Sequence, residues 1–107
     1  MKLSEPWYSF VRLRDKTMET RLLDEKRKLL KIGDQIIFTD KSGENPFTRT
    51  IKNLKIFKDF DSALRYGKLK NILPGIRTYK DGVELYHSIG SYKTNELKLG
   101  VLLIILE

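Results

Sequence analysis

The chain has 107 residues, which suits one domain and is short for two. With 40% hydrophobic and 33% charged residues it is too apolar to stay disordered, and without Cys it has no disulfide framework and no thiolate zinc site. The net charge is +7, and residues 1–58 hold 14 basic against 8 acidic side chains. This charge favours phosphate-bearing partners, although a plain Lys-rich surface has the same charge.

The sequence shows no pattern typical of membrane insertion or export. The longest apolar run, residues 101–106, has six residues, against about 20 for a membrane-spanning helix. No apolar stretch follows Lys2, so no signal peptide is apparent. We therefore expect no membrane partner and a cytoplasmic location.

The chain begins with a predicted amphipathic helix of about eight residues, with Pro6 in its first turn. We expect three apolar side chains of this helix to pack inward, namely Trp7, Phe10 and Val11. Alternation over residues 16–22 then predicts a strand that places Glu19 and Arg21 on the same face.

A short helical turn over residues 24–30 follows this strand, with Asp24 as its cap. Branched and aromatic residues predict strands over 35–39 and 47–57, and the polar, glycine-containing segment between them predicts a hairpin connection.

The second half of the chain predicts two helices and a final strand. The helices cover 59–67, with Gly67 in a left-handed end, and 78–88, whereas the polar residues 91–98 predict irregular or briefly helical chain. Residues 100–106 are apolar on both faces, so they should form a central strand that pairs with the early strands. This order predicts an α+β fold, a small mixed β-barrel or curled sheet with short helices at its ends.

The segment 14–21 resembles the signature of the ASCH domain family, which belongs to the PUA-like superfamily and is linked to RNA. The family motif is G-x-K-x-x-E-x-R, and Lys16, Glu19 and Arg21 match it. Arg14 stands where the family has Gly, which is a turn position rather than a chemical group.

The resemblance covers nearly the whole chain and implies one ASCH domain over residues 1–107. It implies a PUA-like β-barrel with flanking short helices, in which the Lys, Glu and Arg of the motif line a cleft between barrel and helices. The family is proposed to bind RNA. One branch hydrolyses the acetyl amide of acetylcytidine, and another small member is described as a ribonuclease.

The motif residues are candidates for binding a nucleotide or RNA. Lys16 and Arg21 are cations suited to a phosphate, and Glu19 between them is expected to stay ionised and accept a hydrogen bond. The alternative is a Glu19–Arg21 ion pair that only holds the end of the barrel closed. Trp7 either stacks on a base or packs in the core, and Tyr86 is expected to line the cleft.

A basic run follows the motif and is either solvated or an extension of the positive surface around the cleft: Lys26, Arg27, Lys28 and Lys31. We include Lys26 and Arg27 among the candidate ligand-binding residues. His87, the one histidine, is a candidate proton carrier or a half-buried side chain. A lone His without Cys gives no metal site, and no glycine-rich phosphate loop is present, so we expect neither a metal nor a cofactor.

These features favour an RNA- or nucleotide-binding module that uses the motif and the basic run. A second hypothesis is an amidohydrolase on a modified nucleoside with Lys16 and Glu19 catalytic. In the active branch, however, a nucleophilic Thr stands where this chain has Glu19, and Glu84 is only a guess for the downstream Glu. The same residues are also compatible with a ribonuclease or with a purely structural protein, and the oligomeric state stays open.

Overall fold

The computed structural model describes residues 1–107 as four strands, five α-helices and a 3-10 turn. The strands are β1 (Met18–Leu22), β2 (Gln35–Phe38), β3 (Phe47–Phe57) and β4 (Val101–Leu106). The helices are α1 (Trp7–Arg12), α2 (Phe60–Gly67), α3 (Leu69–Ile72), α4 (Tyr79–His87) and α5 (Tyr92–Leu99), and the 3-10 turn is Arg27–Leu29.

The sheet is antiparallel throughout, in the order β1-β4-β3-β2. The apolar strand β4 is central, as predicted, and its alternate side chains enter different hydrophobic clusters. Leu102 and Ile104 join α1 and β2 in the first cluster, whereas Val101 and Leu103 join α2, α3 and α4 in the second. The strand is therefore buried on both faces because helices cover one face and the curled sheet encloses the other.

The curl of the sheet comes from β3, which belongs to two strand pairs. Residues 47–50 pair with β2 and residues 51–57 pair with β4, with an irregular register between Ile51 and Asn53. Such an irregularity bends a strand and increases its twist. The predicted α+β class, with a curled sheet and flanking short helices, is confirmed.

The curled sheet remains open along one line. The N-terminal segment lies along the outer edge of β2, where Leu3 N donates to Thr39 O at 3.0 Å and Lys2 forms a parallel bridge with Thr39. No backbone hydrogen bond joins this segment to β1. We call the space between residues 1–4 and β1 the barrel gap, and two cavities of the molecule are lined by residues from both of its sides.

Side chains cap the N-termini of two helices. Asp59 accepts a hydrogen bond from Ser62 N at 2.8 Å before α2, and Thr78 accepts one from Asp81 N at 3.1 Å before α4. None of the five helices combines the length and the apolar character that crossing a bilayer requires.

Helix α1 differs from the prediction. It has six residues and buries Tyr8 and Val11, whereas Trp7 and Phe10 are only half-buried. Tyr8 is drawn inward because its ring packs on Phe47 with centroids 5.4 Å apart and its hydroxyl donates to the backbone of the hairpin loop. Trp7 packs at the edge of the second hydrophobic cluster, but Phe10 joins neither cluster, so the predicted inward face is wrong for Phe10.

The end of α2 and the segment after α4 also differ. Gly67 does not adopt a left-handed conformation; Lys68 does, with a φ of 76°. Gly67 is instead required for packing, since a Cβ there would lie 2.7 Å from Ile72 Cδ1. Residues 92–99, predicted as irregular or briefly helical, form the regular helix α5.

Candidate functional site

Lys16 lies in the loop between α1 and β1 and is only 2% exposed. Its ammonium donates to Met18 O at 2.9 Å and to Ile72 O, and it lies 3.4 Å from Glu19 Oε1. An ammonium has three N–H groups, so these three acceptors satisfy all of them. Lys16 therefore ties α3 to β1 and holds Glu19 in place, rather than offering a free cation for a phosphate.

Glu19 and Arg21 share a face of β1, as the strand alternation predicted. They stand opposite Ile104 and Leu102 of β4, so their side chains point into the curled side of the sheet. Arg21 Nη1 lies 3.0 Å from Glu19 Oε1, and the N–H of Thr20 donates to the same oxygen at 2.9 Å. With the Lys16 ammonium and the Tyr86 hydroxyl, Glu19 Oε1 is surrounded by donors from four residues.

The charges of this cluster favour an ionised Glu19. Burial by itself would raise the pKa of Glu19, but Arg21, Lys16 and the N–H of Thr20 outweigh burial and bring the pKa below its ordinary value. Burial lowers the pKa of Lys16, against the attraction of Glu19, whereas that attraction overcomes burial and raises the pKa of Arg21. Glu19 therefore serves as a fixed acceptor and is poorly suited to act as a general acid.

Part of this cluster has no protein partner. Glu19 Oε2 accepts no hydrogen bond from the protein, and Arg21 Nε and Nη2 donate none to it. Among the fully buried side-chain nitrogen and oxygen atoms, only Thr20 Oγ1 lacks a hydrogen-bond partner. The three atoms of Glu19 and Arg21 also lack a partner, so each of them keeps some exposure to solvent. The cluster therefore offers one acceptor oxygen beside N–H donors, and both residues line a cavity.

This cavity, which we call the cleft, has a volume of about 450 Å³ and lies in the barrel gap between β1, α1 and the α4–α5 connection. Its size falls within the usual range for small-molecule sites. Its aromatic lining consists of Trp7, Tyr86 and Tyr92. Both an ion-pair network and a concavity are thus present at the motif.

Tyr86 forms the floor of the cleft and is fixed by packing. Its ring stacks on Phe60 at 4.5 Å with an interplanar angle of 5°, and Phe60 in turn stacks on Tyr92 at 5.6 Å. The Tyr86 hydroxyl lies 3.5 Å from Glu19 Oε1. Burial, followed by the charge of Glu19, raises the pKa of Tyr86, so this hydroxyl stays protonated.

The two predicted residues of the basic run lie in a second cavity. Lys26 and Arg27 line a space of about 570 Å³ at the mouth of the curled sheet, beside β2. Arg21 lines both cavities and stands between them. Arg27 is paired with Asp24 at 2.6 Å, whereas Lys26 makes no ion pair.

His87 and Glu84 lie outside the cleft. His87 Nε2 contacts Glu96 Oε1 at 3.1 Å, and Glu96 Oε2 accepts from Phe60 N at 2.7 Å, so the pair fastens α5 to α2. Glu84 is exposed and faces neither cavity. The hypothesis of His87 as a proton carrier and the guess for Glu84 therefore have no geometric support.

Tyr92 is a cleft residue that the sequence pattern did not indicate. Its segment lacks an apolar stripe, because the one buried residue of α5 is the charged Glu96. Lys2 also lines both cavities, but its ammonium extends toward Gly43, so its charge is directed away from them. Arg14, which stands at the Gly position of the motif, has a φ of 68°, the left-handed backbone that glycine adopts without strain.

Comparison with known proteins finds relatives among solved structures. No protein-family model and no curated protein matches the chain. The crystal structure of hypothetical protein PH0355 is 30% identical, with a TM-score of 0.86, and the match covers 100% of this chain and 94% of that one. The solution structure of protein PF0455 from Pyrococcus furiosus is 28% identical, with a TM-score of 0.73 and coverage of 100% and 96%. At this identity over the whole length, the chain belongs to the same family as hypothetical protein PH0355.

Proposed function

We propose that this protein is an RNA- or nucleotide-binding module that takes a nucleobase into the cleft. The observation that carries the proposal is the buried Glu19 carboxylate, whose Oε1 is occupied by protein donors while Oε2 has no donor from the protein. An ionised acceptor in a half-enclosed space matches the N–H groups on the edge of a base.

Arg21 complements Glu19 as a donor. Its Nε and Nη2 groups have no protein acceptor, and they lie on the same side chain that binds Glu19 through Nη1. Each base presents donors and acceptors side by side on its edge, so an acceptor beside donors suits a base without selecting one.

The aromatic lining supplies the second part of the recognition. Trp7 and Tyr92 come from different elements and both line the cleft, while Tyr86 forms its floor near Glu19. Stacking of a base on an aromatic ring contributes about 1–3 kcal/mol and tolerates every base. This lining supports binding of an unpaired base or nucleotide.

We propose that the chain is an ASCH domain. Lys16, Glu19 and Arg21 of the motif converge on one cleft, and Arg14 has the positive φ that the motif's glycine would adopt. The lining of the cleft includes no Thr, and Glu19 occupies the position of the hydrolytic branch's nucleophile. These features favour binding over amide hydrolysis.

The experiment is a titration with cytidine monophosphate followed by backbone amide shifts, with Trp7→Ala as the variant. We expect shifts around the cleft and an affinity about 5- to 150-fold weaker in the variant, the equivalent of one stacked base. Tyr79→Ala is the matched control, since Tyr79 is a half-buried aromatic that lines neither cavity. Shifts scattered over the surface, or equal losses in both variants, would contradict the proposal.

A further inference from the structure

We propose that the ligand is a single strand of at least two nucleotides, with one base in the cleft and the next nucleotide in the second cavity. This inference rests on the proposed function of the cleft and adds the number of nucleotides that the protein binds. Residues from both sides of the barrel gap line the two cavities, and Arg21 lines both of them. A ligand that leaves the cleft past Arg21 therefore enters the second cavity directly.

The second cavity has the composition that a nucleotide requires. Its wall carries Lys26, Arg27 and Arg21, and no acidic side chain lines it. Apolar side chains also line it, among them Leu30, Ile36 and Ile37, and these match the face of a sugar or base. A volume of about 570 Å³ is also larger than a phosphate group alone would fill.

The cations of this cavity differ in their availability. Arg27 is partly neutralised by Asp24 at 2.6 Å, but Lys26 is exposed and has no ion-pair partner. Arg21 keeps N–H groups free after binding Glu19. A phosphodiester beside Arg21 therefore meets the free N–H groups of Arg21 on the cleft side and the unpaired Lys26 ammonium in the second cavity. This arrangement suits the phosphate that joins two nucleotides.

The test compares cytidine, cytidine monophosphate and the dinucleotide CpC on the full chain. We expect CpC to bind at least about tenfold more tightly than the mononucleotide, because CpC adds a second nucleoside and tenfold corresponds to about 1.4 kcal/mol, which is within the range for one base. Compared with cytidine, which carries no phosphate, the bridging phosphate of CpC should also steepen the slope of log affinity against log salt by about 0.7.

Lys26→Ala is the diagnostic variant and Lys28→Ala is its matched control. Both residues are exposed lysines of the basic run, but Lys28 pairs with Glu25 and lines neither cavity. We expect Lys26→Ala to remove most of the advantage of CpC over cytidine and to leave cytidine binding unchanged, while Lys28→Ala changes neither.

The outcomes separate this inference from the proposed function. If cytidine shifts the cleft amides but CpC binds no more tightly than the mononucleotide, the inference fails and the proposed function stands. An equal loss in Lys26→Ala and Lys28→Ala also overturns the inference, because it indicates general attraction to the positive surface. If neither cytidine nor CpC binds, both proposals fail.

Discussion

Replacement of Lys16 by Met tests whether the buried cluster is built as described. The substitution keeps a long side chain but removes a cation that is 2% exposed and bonded to Met18 O, Ile72 O and Glu19. Removing one partner of a buried ion pair costs about 3–5 kcal/mol because the other charge stays buried. Glu19 retains Arg21 at 3.0 Å, so we expect the lower end, about 3 kcal/mol.

Urea unfolding at neutral pH measures this loss. With a slope of about 1.5 kcal/mol per M, a loss of this size lowers the unfolding midpoint by about 2 M. Lys28→Met is the control, since Lys28 pairs with Glu25 at the surface and its loss should cost less than about 1 kcal/mol.

A double-mutant cycle with Glu19→Gln then isolates the coupling between the two residues. Gln keeps the carbonyl acceptor for Thr20 N and Arg21 but removes the charge that Lys16 attracts, so the loss of Lys16 should cost less in the Glu19→Gln background. We expect the double variant to be more stable than the sum of the single losses by about 1–3 kcal/mol. A Lys16→Met loss equal to that of Lys28→Met would refute the description of the cluster.

Three further predictions concern stability. Because folding lowers the pKa of Glu19, the ionised carboxylate stabilises the fold at pH values above the ordinary carboxyl pKa, and this stabilisation is lost as the pH falls through the folded pKa. Glu19→Gln should therefore make the free energy of unfolding fall less steeply with pH below about pH 5. Lys68→Gly should raise the thermal midpoint, since Lys68 has a φ of 76° that costs a side chain about 1–3 kcal/mol. Asp59→Ala should cost about 1 kcal/mol in urea unfolding by removing the α2 cap, whereas Asp61→Ala, inside the first turn, should cost less.

Much of the fold follows from local patterns in the chain. The bounds of β3, 47–57, agree with the prediction because branched and aromatic residues fill the strand and turn residues bound it. The central place of β4 follows from its being apolar on both faces. Glu19 and Arg21 share a face because side chains on a strand alternate.

Other features depend on contacts that no local pattern contains. Trp7 lies at the cleft because Tyr8 takes the core position against Phe47, a contact between residues far apart in the chain. Helix α5 has no apolar stripe because its buried side chain, Glu96, is charged and satisfied by His87 and a backbone N–H. The second cavity is assembled from segments that are distant in sequence, so a single basic run did not reveal it.

The central claim is that the cleft accepts a nucleobase beside Glu19, and the one Trp of the chain provides a direct measurement. Trp7 lines the cleft, so its fluorescence reports an aromatic ligand placed there. We predict that cytidine monophosphate changes this fluorescence saturably and that Arg21→Gln weakens the binding without unfolding the chain. Fluorescence that stays constant as the nucleotide is raised into the millimolar range would contradict the claim.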